Sequence, residues 1–391
     1  MDVSRTHAVS IASSSSTQSV NVLPPPAPFF VRNGRRYPRD RPNPLPCDLA
    51  ELQRQNLRTM LVSSVLGKPI CCPPRFLPKT HQLRILDIGC GTGYWSYLIH
   101  QHLVSSGWKA PSFIGLDTAQ SAPDLGKQGM DWRFVAHDLR RPLPFSDSQF
   151  DLVIMKDMSL VTPVGEGTQQ LLDETIRVLK RGGALEIWEC DHAIRCLQLD
   201  HSASFSRTSE EELTQAKKTA TYPINSATVF GEPQNTYLHQ ASAWIENILD
   251  ARGLSATPGS RMTAALLQEP DDLCEIGFRR VAVPLTETRW ERESGIDWES
   301  KIFPDQEQPT KDQGDEVQSV LTDEQAALRA TALMTVVQIL EGLEPLLTDL
   351  SRKNAEEWAR WWSGMKGNLL QGRGAEHGEC LEIGAWWARK R

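Results

Sequence analysis

The sequence has 391 residues, 40% hydrophobic and 23% charged, with a formal net charge of −7, which is ordinary globular material for one large domain or two average ones. The acid excess argues against a protein that coats nucleic acid and leaves room only for a local basic patch. Eight cysteines with no CxxC pair exclude a disulfide scaffold and point to a reducing compartment, and no uninterrupted apolar run approaches the roughly 18 residues of a membrane span.

Residues 1–44 read as a disordered tail. They are Ser-rich to about position 20 and then carry Pro24, Pro25, Pro26 and Pro28, too little apolar surface to offset chain entropy. The first twenty lack a signal-peptide core. Their serines and low acid content resemble a transit peptide, against which stand Asp2 and the shortage of arginines. Arg32, Arg35, Arg36, Arg39 and Arg41 then fall within ten residues. They form either a nuclear-localisation or nucleic-acid patch, or a solvated approach to the fold broken by Pro38 and Pro42.

From residue 45 to 391 a single domain is expected. A helix is predicted from Cys47 to Val65, with Leu57, Met60, Leu61 and Val65 on its inner face and Gly67 and Pro69 as its stop. Residues 71–80 form a linker. Ile85, Leu86 and Ile88 make a buried strand that breaks into Gly89, Gly91 and Gly93. A helix follows over Tyr94–Ser105, with Leu98 and His102 on one face. Further short strands are predicted at Phe113–Asp117, Trp132–Ala136, Phe150–Met155 and Ala184–Trp188. A helix over Gln169–Leu179 precedes the last of these, and Lys180–Gly183 is its stop. The alternation predicts an α/β fold, a doubly wound and mostly parallel seven-stranded sheet with helices on both faces. Residues 83–192 form its core and 193–380 a helical cap. Within the cap, residues 195–235 read as an insertion with a helix near 210–220, and helices are expected at 239–252 and 260–275. Residues 278–284 read as a sixth strand, 304–318 as an acidic loop, and a long helix carrying Leu333, Val337 and Leu340 ends at Pro345. A stripe of Trp358, Trp361, Trp362 and Met365 marks another helix, and 380–389 complete the sheet as its last strand.

Three acids at successive strand ends, Asp87, Asp117 and Asp138, face one crevice in such a sheet. The glycine spacing is Asp-x-Gly-x-Gly-x-Gly, not the GxGxxG of a dinucleotide site. No lysine or arginine sits in the loop to meet a phosphate, and a Walker lysine is missing. An acid-rich crevice without phosphate ligands suits a cationic sulfonium.

With these features the segments ILDIGCGTG (85–93), IGLD (114–117), Asp138 followed by LPF (143–145), FDLVIMKD (150–157) and VLKRGGALEIWE (178–189) resemble class I S-adenosylmethionine-dependent methyltransferases in order and spacing. GKPI (67–70), Trp95 in GTGYW, MKDMSL (155–160) and WWARK (386–390) are similar to fungal methyltransferases that include regulators of secondary metabolism. The resemblance implies S-adenosylmethionine as cofactor, held by the loop of Gly89, Cys90, Gly91 and Gly93. It puts Asp87 near the amino-acid end of that cofactor, Asp117 on the ribose hydroxyls, and Asp138 with the Leu139 backbone at the adenine. Lys156 and Asp157 lie near the methyl group. If the acceptor is a hydroxyl, a base is useful. Asp157, Glu189, Asp191 and His192 are the candidates, and His192 is preferred for its unperturbed pKa, with Asp157 second. The Asp/Asn-Pro-Pro-aromatic signature of amino-group nucleic-acid methyltransferases is replaced by Lys156-Asp157-Met158-Ser159. Cys190, His192, Cys196 and His201 do not have zinc spacing, so no metal is expected. Trp95 and the tryptophan stripe read as packing. The expectation is a cytoplasmic or nuclear methyltransferase with an unidentified small-molecule or protein acceptor and neither nucleic acid nor membrane as partner. The alternative is a regulatory protein that uses the same fold to bind protein partners with little turnover.

Overall fold

In this computed structural model, which describes residues 28–39, 41–198, 208–293, 319–371 and 374–391, the chain opens with a hairpin. Strands β1 (Phe29–Arg32) and β2 (Arg35–Pro38) pair antiparallel. Asn33 and Gly34 both take positive φ between them (48° and 73°), the turn that matches strand twist. The tail read from composition over 1–44 therefore gives way to structure from Phe29. The Asn-Gly pair was the available signal. The arginines there serve the fold. Arg32 pairs with Asp349 at 2.6 Å, Arg35 with Asp48 at 2.7 Å, and Arg36 donates to the Cys47 carbonyl at 3.1 Å. Asp48 also caps helix α1 (Leu49–Leu66) by accepting from the Glu51 amide.

The inner face of α1 is the expected one in Leu61 and Val65, with Leu57 half-buried, but not in Met60. Met60 is 52% exposed, while Arg54 and Arg58 are buried beside Leu61, Val62 and Val65. Downstream, β3 (Arg84–Ile88), α2 (Tyr94–Ser105), β4 (Ser112–Asp117), β5 (Asp131–Ala136), β6 (Phe150–Lys156), α3 (Glu166–Val178) and β7 (Leu179–Cys190) follow the βαβ order. Ile85, Leu86 and Ile88 are fully buried, as a strand covered on both faces requires. On α2 the buried face is Trp95, Ile99 and Leu103, and Leu98 and His102 are half-buried. Because β7 starts at once after α3, Lys180–Gly183 is strand, with Gly182 at φ +77°.

Short strands β8 (Arg195–Gln198), β9 (Tyr222–Pro223) and β10 (Val229–Gly231) belong to the insertion, around α4 (Glu210–Thr219). They were not anticipated, being two to four residues long. Then come α5 (Thr236–Asp250), α6 (Met262–Leu267), β11 (Leu273–Pro284), α7 (Arg289–Glu293), α8 (Asp323–Ser351), α9 (Ala355–Gln371) and β12 (Glu379–Lys390). The helix expected over 260–275 stops at Leu267, because Pro270 cannot continue it and the strand begins at Leu273. By contrast α8 runs through Pro345 to Ser351. A proline there costs about 3 kcal/mol, offset by burying Leu343 and Leu347 on the next turn. Helix α8 is long and apolar enough to cross a membrane by composition, yet more than half of its most apolar window is packed inside the fold. Residues 304–318 and His201 lie outside the described residues.

The central sheet has the order β5-β4-β3-β6-β7-β12-β11. Its first five strands are parallel, and β12 runs antiparallel between β7 and β11. These are the seven expected strands. β8 continues the β7 side of β12, β10 pairs with β8, and β9 with β11. The order reverses at β3, so the carboxyl ends of β3, β4 and β6 open on the switch-point crevice where ligands of such sheets bind. Helices α1, α5 and α8 pack together beside it. Trp244, Trp358 and Trp361 form an aromatic cluster with centroids 5.0–6.1 Å apart, so the stripe does pack, as expected.

Candidate active site

The glycine loop is folded against the end of β4. The Gly89 and Cys90 amides donate to the Leu116 carbonyl at 2.8 and 3.2 Å. The Gly91 amide donates to Asp117 Oδ2 at 2.9 Å, and the Thr118 amide donates to Oδ1 of the same carboxylate at 2.6 Å. Gly89, Gly91 and Gly93 all have positive φ (72°, 51° and 70°), which favours glycine at each. A Cβ on Gly89 would lie 2.2 Å from Met158 Cε. Asp117 therefore holds the loop and remains half-exposed at the crevice.

Asp87 lies beneath the loop. It is 1% exposed and accepts from Ser96 Oγ at 2.6 Å. Burial pushes its carboxyl up to about 6, against the pull of Ser96 and Lys156. Cys90 is buried, and burial raises its thiol far above the usual range, so it packs rather than reacts. Asp138 is two residues past Ala136, the register partner of Asp117. Its carboxylate is forked onto Arg140 at 2.6–3.1 Å, which holds it well below the usual carboxylate range. Leu139 is half-buried against the apolar cluster under β3 and β6. Trp95 is buried edge-on against Trp188, with centroids 4.7 Å apart.

At the end of β6, Asp157 sits in the left-handed region (φ 57°) and pairs with its neighbour Lys156. It also pairs with Arg58 NH2 of α1 at 3.0 Å. Burial alone would raise the Asp157 carboxyl, but Arg58 and then Lys156 outweigh it and hold the group well below its ordinary value. A carboxylate pinned by two cations is a weak proton acceptor. His192 is 4% exposed and lies 3.0 Å from Ser159 Oγ through Nε2, while Nδ1 is buried without a partner. Burial first, and Arg58 second, push the imidazole down to about 3, which keeps it neutral and poorly basic. Ser159 is the hub, with its Oγ 2.6 Å and its amide 2.9 Å from the two oxygens of Glu189. Burial and then Asp157 push Glu189 up to about 7. Burial, and then Glu382, push Asp191 up to about 7 as well, so both acids have the value suited to proton transfer near neutrality, and it is the contact with Ser159 that sets Glu189 apart. Asp191 accepts from the Gly259 amide at 2.9 Å and faces Arg195 at 3.6 Å.

The structure thus brings together the loop residues, Asp117, Lys156 and Asp157, and places Asp138 on the next strand. Arg58, Ser159 and Met158 were missed. The signal for Arg58 was two arginines, Arg54 and Arg58, spaced four apart and in register with the apolar face of α1. The helix reaches the loop elsewhere too. Asn56 Oδ1 accepts from Thr92 Oγ1 at 2.5 Å, and Gln55 lies over Gly91. Among the described residues no group of His, Cys, Asp and Glu is arranged to hold a metal.

Residues 85–183 match the family model described as a methyltransferase domain. That segment of the chain is similar to a methyltransferase domain. The chain is 29% identical over 185 residues to the secondary metabolism regulator LAE1 of Pyricularia oryzae, covering 46% of this chain and 53% of that protein. It is 26% identical over 199 residues to the secondary metabolism regulator laeA of Aspergillus niger, covering 50% of each. The chain spans about half the length of these curated relatives. The solved YcgJ protein of Bacillus subtilis superposes with a TM-score of 0.37 at 13% identity, covering 84% of this chain and 98% of that one. The matched segment contains the loop, Asp117, Asp138 and Asp157. Arg58, Glu189 and His192 lie outside it.

Proposed function

We propose that the chain binds S-adenosylmethionine and transfers its methyl group to an acceptor. The observation that carries this is the glycine loop bonded to Asp117 at 2.9 Å, in a crevice with buried Asp87 and no loop cation for a phosphate. The residues present fit a cationic cofactor. Asp117 keeps free lone pairs for ribose hydroxyls, the Gly89 and Gly91 backbones admit close approach, and Asp138 and Leu139 border the adenine side. The cofactor supplies an electrophilic methyl. The chain supplies orientation, which can account for a large part of the rate in such a displacement, and a proton acceptor. Asp157, fixed by Arg58 and Lys156, supplies charge rather than basicity. Glu189 takes over from His192 as the preferred base, and His192 orients Ser159. Calorimetry with S-adenosylmethionine, S-adenosylhomocysteine and NADH tests the donor. Binding of the first two, weakened about tenfold or more in Asp117→Ala, supports the reading, and binding of NADH alone refutes it.

The second reading, a regulator with little turnover in the cytoplasm or nucleus, is favoured by the names of the relatives. Labelled S-adenosylmethionine with cell extract separates the two. Transfer that vanishes in Asp117→Ala marks the enzyme, and tight binding without transfer marks the regulator. The fold already engages Arg32, Arg35 and Arg36 in contacts with Asp349, Asp48 and Cys47, which reduces their availability as a nuclear signal.

A further inference from the structure

Beside the cofactor crevice, the ends of β6 and β7, helix α3 and the turn into α6 enclose a cavity of about 150 Å³. Its walls are apolar, with Met155, Leu172, Ile187 and Met262 among them. Their polar interruptions include Ser159 and Glu189, which are hydrogen-bonded to each other, and the exposed Arg261 at the rim. An apolar cavity of this size accommodates a single benzene-sized ring, and methionine walls adapt to its outline. Met158 connects the two spaces. It lines the cavity, and its Cε lies 2.2 Å from where a Cβ on Gly89 would stand. One side chain thus touches both the cavity and the cofactor loop.

We propose that this cavity holds the methyl acceptor, a small uncharged molecule with an apolar ring and one hydroxyl, with Glu189 and Ser159 meeting that hydroxyl. This rests on the methyltransferase reading. Glu189 is 2% exposed, so water does not compete strongly for its oxygens, and burial pushes its carboxyl up to about 7. In the reaction the hydroxyl proton passes to the Glu189 carboxylate. An electron pair of the acceptor oxygen forms the new O–C bond as the C–S bond of the sulfonium donor breaks, and the electrons of that C–S bond stay on sulfur, leaving a neutral thioether. An alkylammonium acceptor, such as a lysine side chain, would have to shed its hydration inside apolar walls and is disfavoured there.

The test uses the full chain, with phenol, toluene and n-butylammonium as probes, followed by ligand-observed NMR and calorimetry with and without S-adenosylhomocysteine. Phenol binds one-to-one, and butylammonium does not displace it. Ala265→Trp, which fills the cavity from its α6 wall, weakens phenol about tenfold or more and leaves S-adenosylhomocysteine affinity unchanged within about twofold. Met262→Ala, an enlarging variant that keeps the assay decisive should the first misfold, shifts preference from phenol to 1-naphthol. Glu189→Gln lowers the affinity for phenol and not for toluene. Binding of S-adenosylhomocysteine without any of phenol at millimolar concentration, equal phenol affinity in Ala265→Trp and the parent, or displacement of phenol by butylammonium overturns this inference and leaves the cofactor reading standing. Phenol binding with no S-adenosylhomocysteine binding overturns the acceptor role through the failure of the cofactor reading itself.

Discussion

Replacing Arg58 by Met removes a buried guanidinium that is 1% exposed and 3.0 Å from Asp157. At charge separations near 4 Å and an effective dielectric of about 20, such a pair attracts by about 4 kcal/mol. Breaking one side of a buried pair usually costs about 3–5 kcal/mol. The Asp157 side chain is 21% exposed and keeps Lys156 as a partner, so the lower end applies, about 3 kcal/mol. Asp157→Asn alone strands the arginine against the Cys190 carbonyl at 3.4 Å and destabilises by a similar amount. The double variant leaves neither charge, so its loss falls short of the sum by about 2–3 kcal/mol. Urea unfolding of the four proteins measures this coupling, and carboxyl NMR shows the Asp157 pKa rising in Arg58→Met. A coupling below about 0.5 kcal/mol, within the scatter of independent sites, refutes the claim that α1 supplies the charge partner of the β6 acid.

Gly89→Ala places a methyl 2.2 Å from Met158 Cε at a φ of +72° and abolishes S-adenosylhomocysteine binding in calorimetry. Adding Met158→Ala relieves the collision but not the left-handed backbone, which costs about 1–2 kcal/mol, so recovery is partial. Asp117→Ala strips the acceptor from the Gly91 and Thr118 amides and weakens S-adenosylhomocysteine about tenfold or more, since a hydrogen bond to a charged group contributes about 1.5–3 kcal/mol. The His192 pKa is pushed from 6.5 down to about 3, so the unfolded chain binds a proton that the folded one refuses, and this part of stability is lost as pH falls from about 6.5 towards 3. His192→Gln removes that slope, and its stability relative to the parent rises on acidification by up to about 1.4 kcal/mol per pH unit. Glu189 and Asp87 act in the opposite sense, each raised to about 7 and about 6. The folded chain keeps protons that the unfolded one has released, so stability is lost as pH rises from 4.5 to about 7 for Glu189 and from 3.8 to about 6 for Asp87, and Glu189→Gln flattens the limb of a urea-midpoint profile that lies between 4.5 and about 7.

The parallel core was legible because its strands are apolar on both faces and end in glycine or acid. Ile85, Leu86 and Ile88 have no polar alternation to confuse them, and all seven principal strands occupy the expected segments. Short edge strands such as Tyr222–Pro223 were not legible, because two residues carry no period and their pairing partner Val281 lies far along the chain. Part of the inner face of α1 was misread for a related reason. Hydrophobic periodicity assigns an arginine outward, yet Arg58 is inward because a carboxylate on another element neutralises it. The same blindness affected basicity. His192 was preferred on its solution pKa, and only the packing around it, with Nδ1 buried and unpartnered, shows that its proton affinity is depressed while that of Glu189 is raised.

These misreadings concentrate at the site. Local rules of a sequence are expected to fail where function requires buried charge. Arg58, Asp157, Glu189 and His192 are such a group, and they belong to three separate stretches of the chain. Asp157 is shared between them. It draws Arg58 inward, and its negative charge raises Glu189. If Arg58 is removed, the negative charge on Asp157 is no longer compensated by α1, so Glu189 moves further up. The base then stays protonated at neutral pH. The arginine on α1, outside the matched methyltransferase segment, thereby sets the pH at which an acid on β7 can accept a proton. A helix that looks like packing by its position in sequence becomes part of the electrostatics of the proposed site.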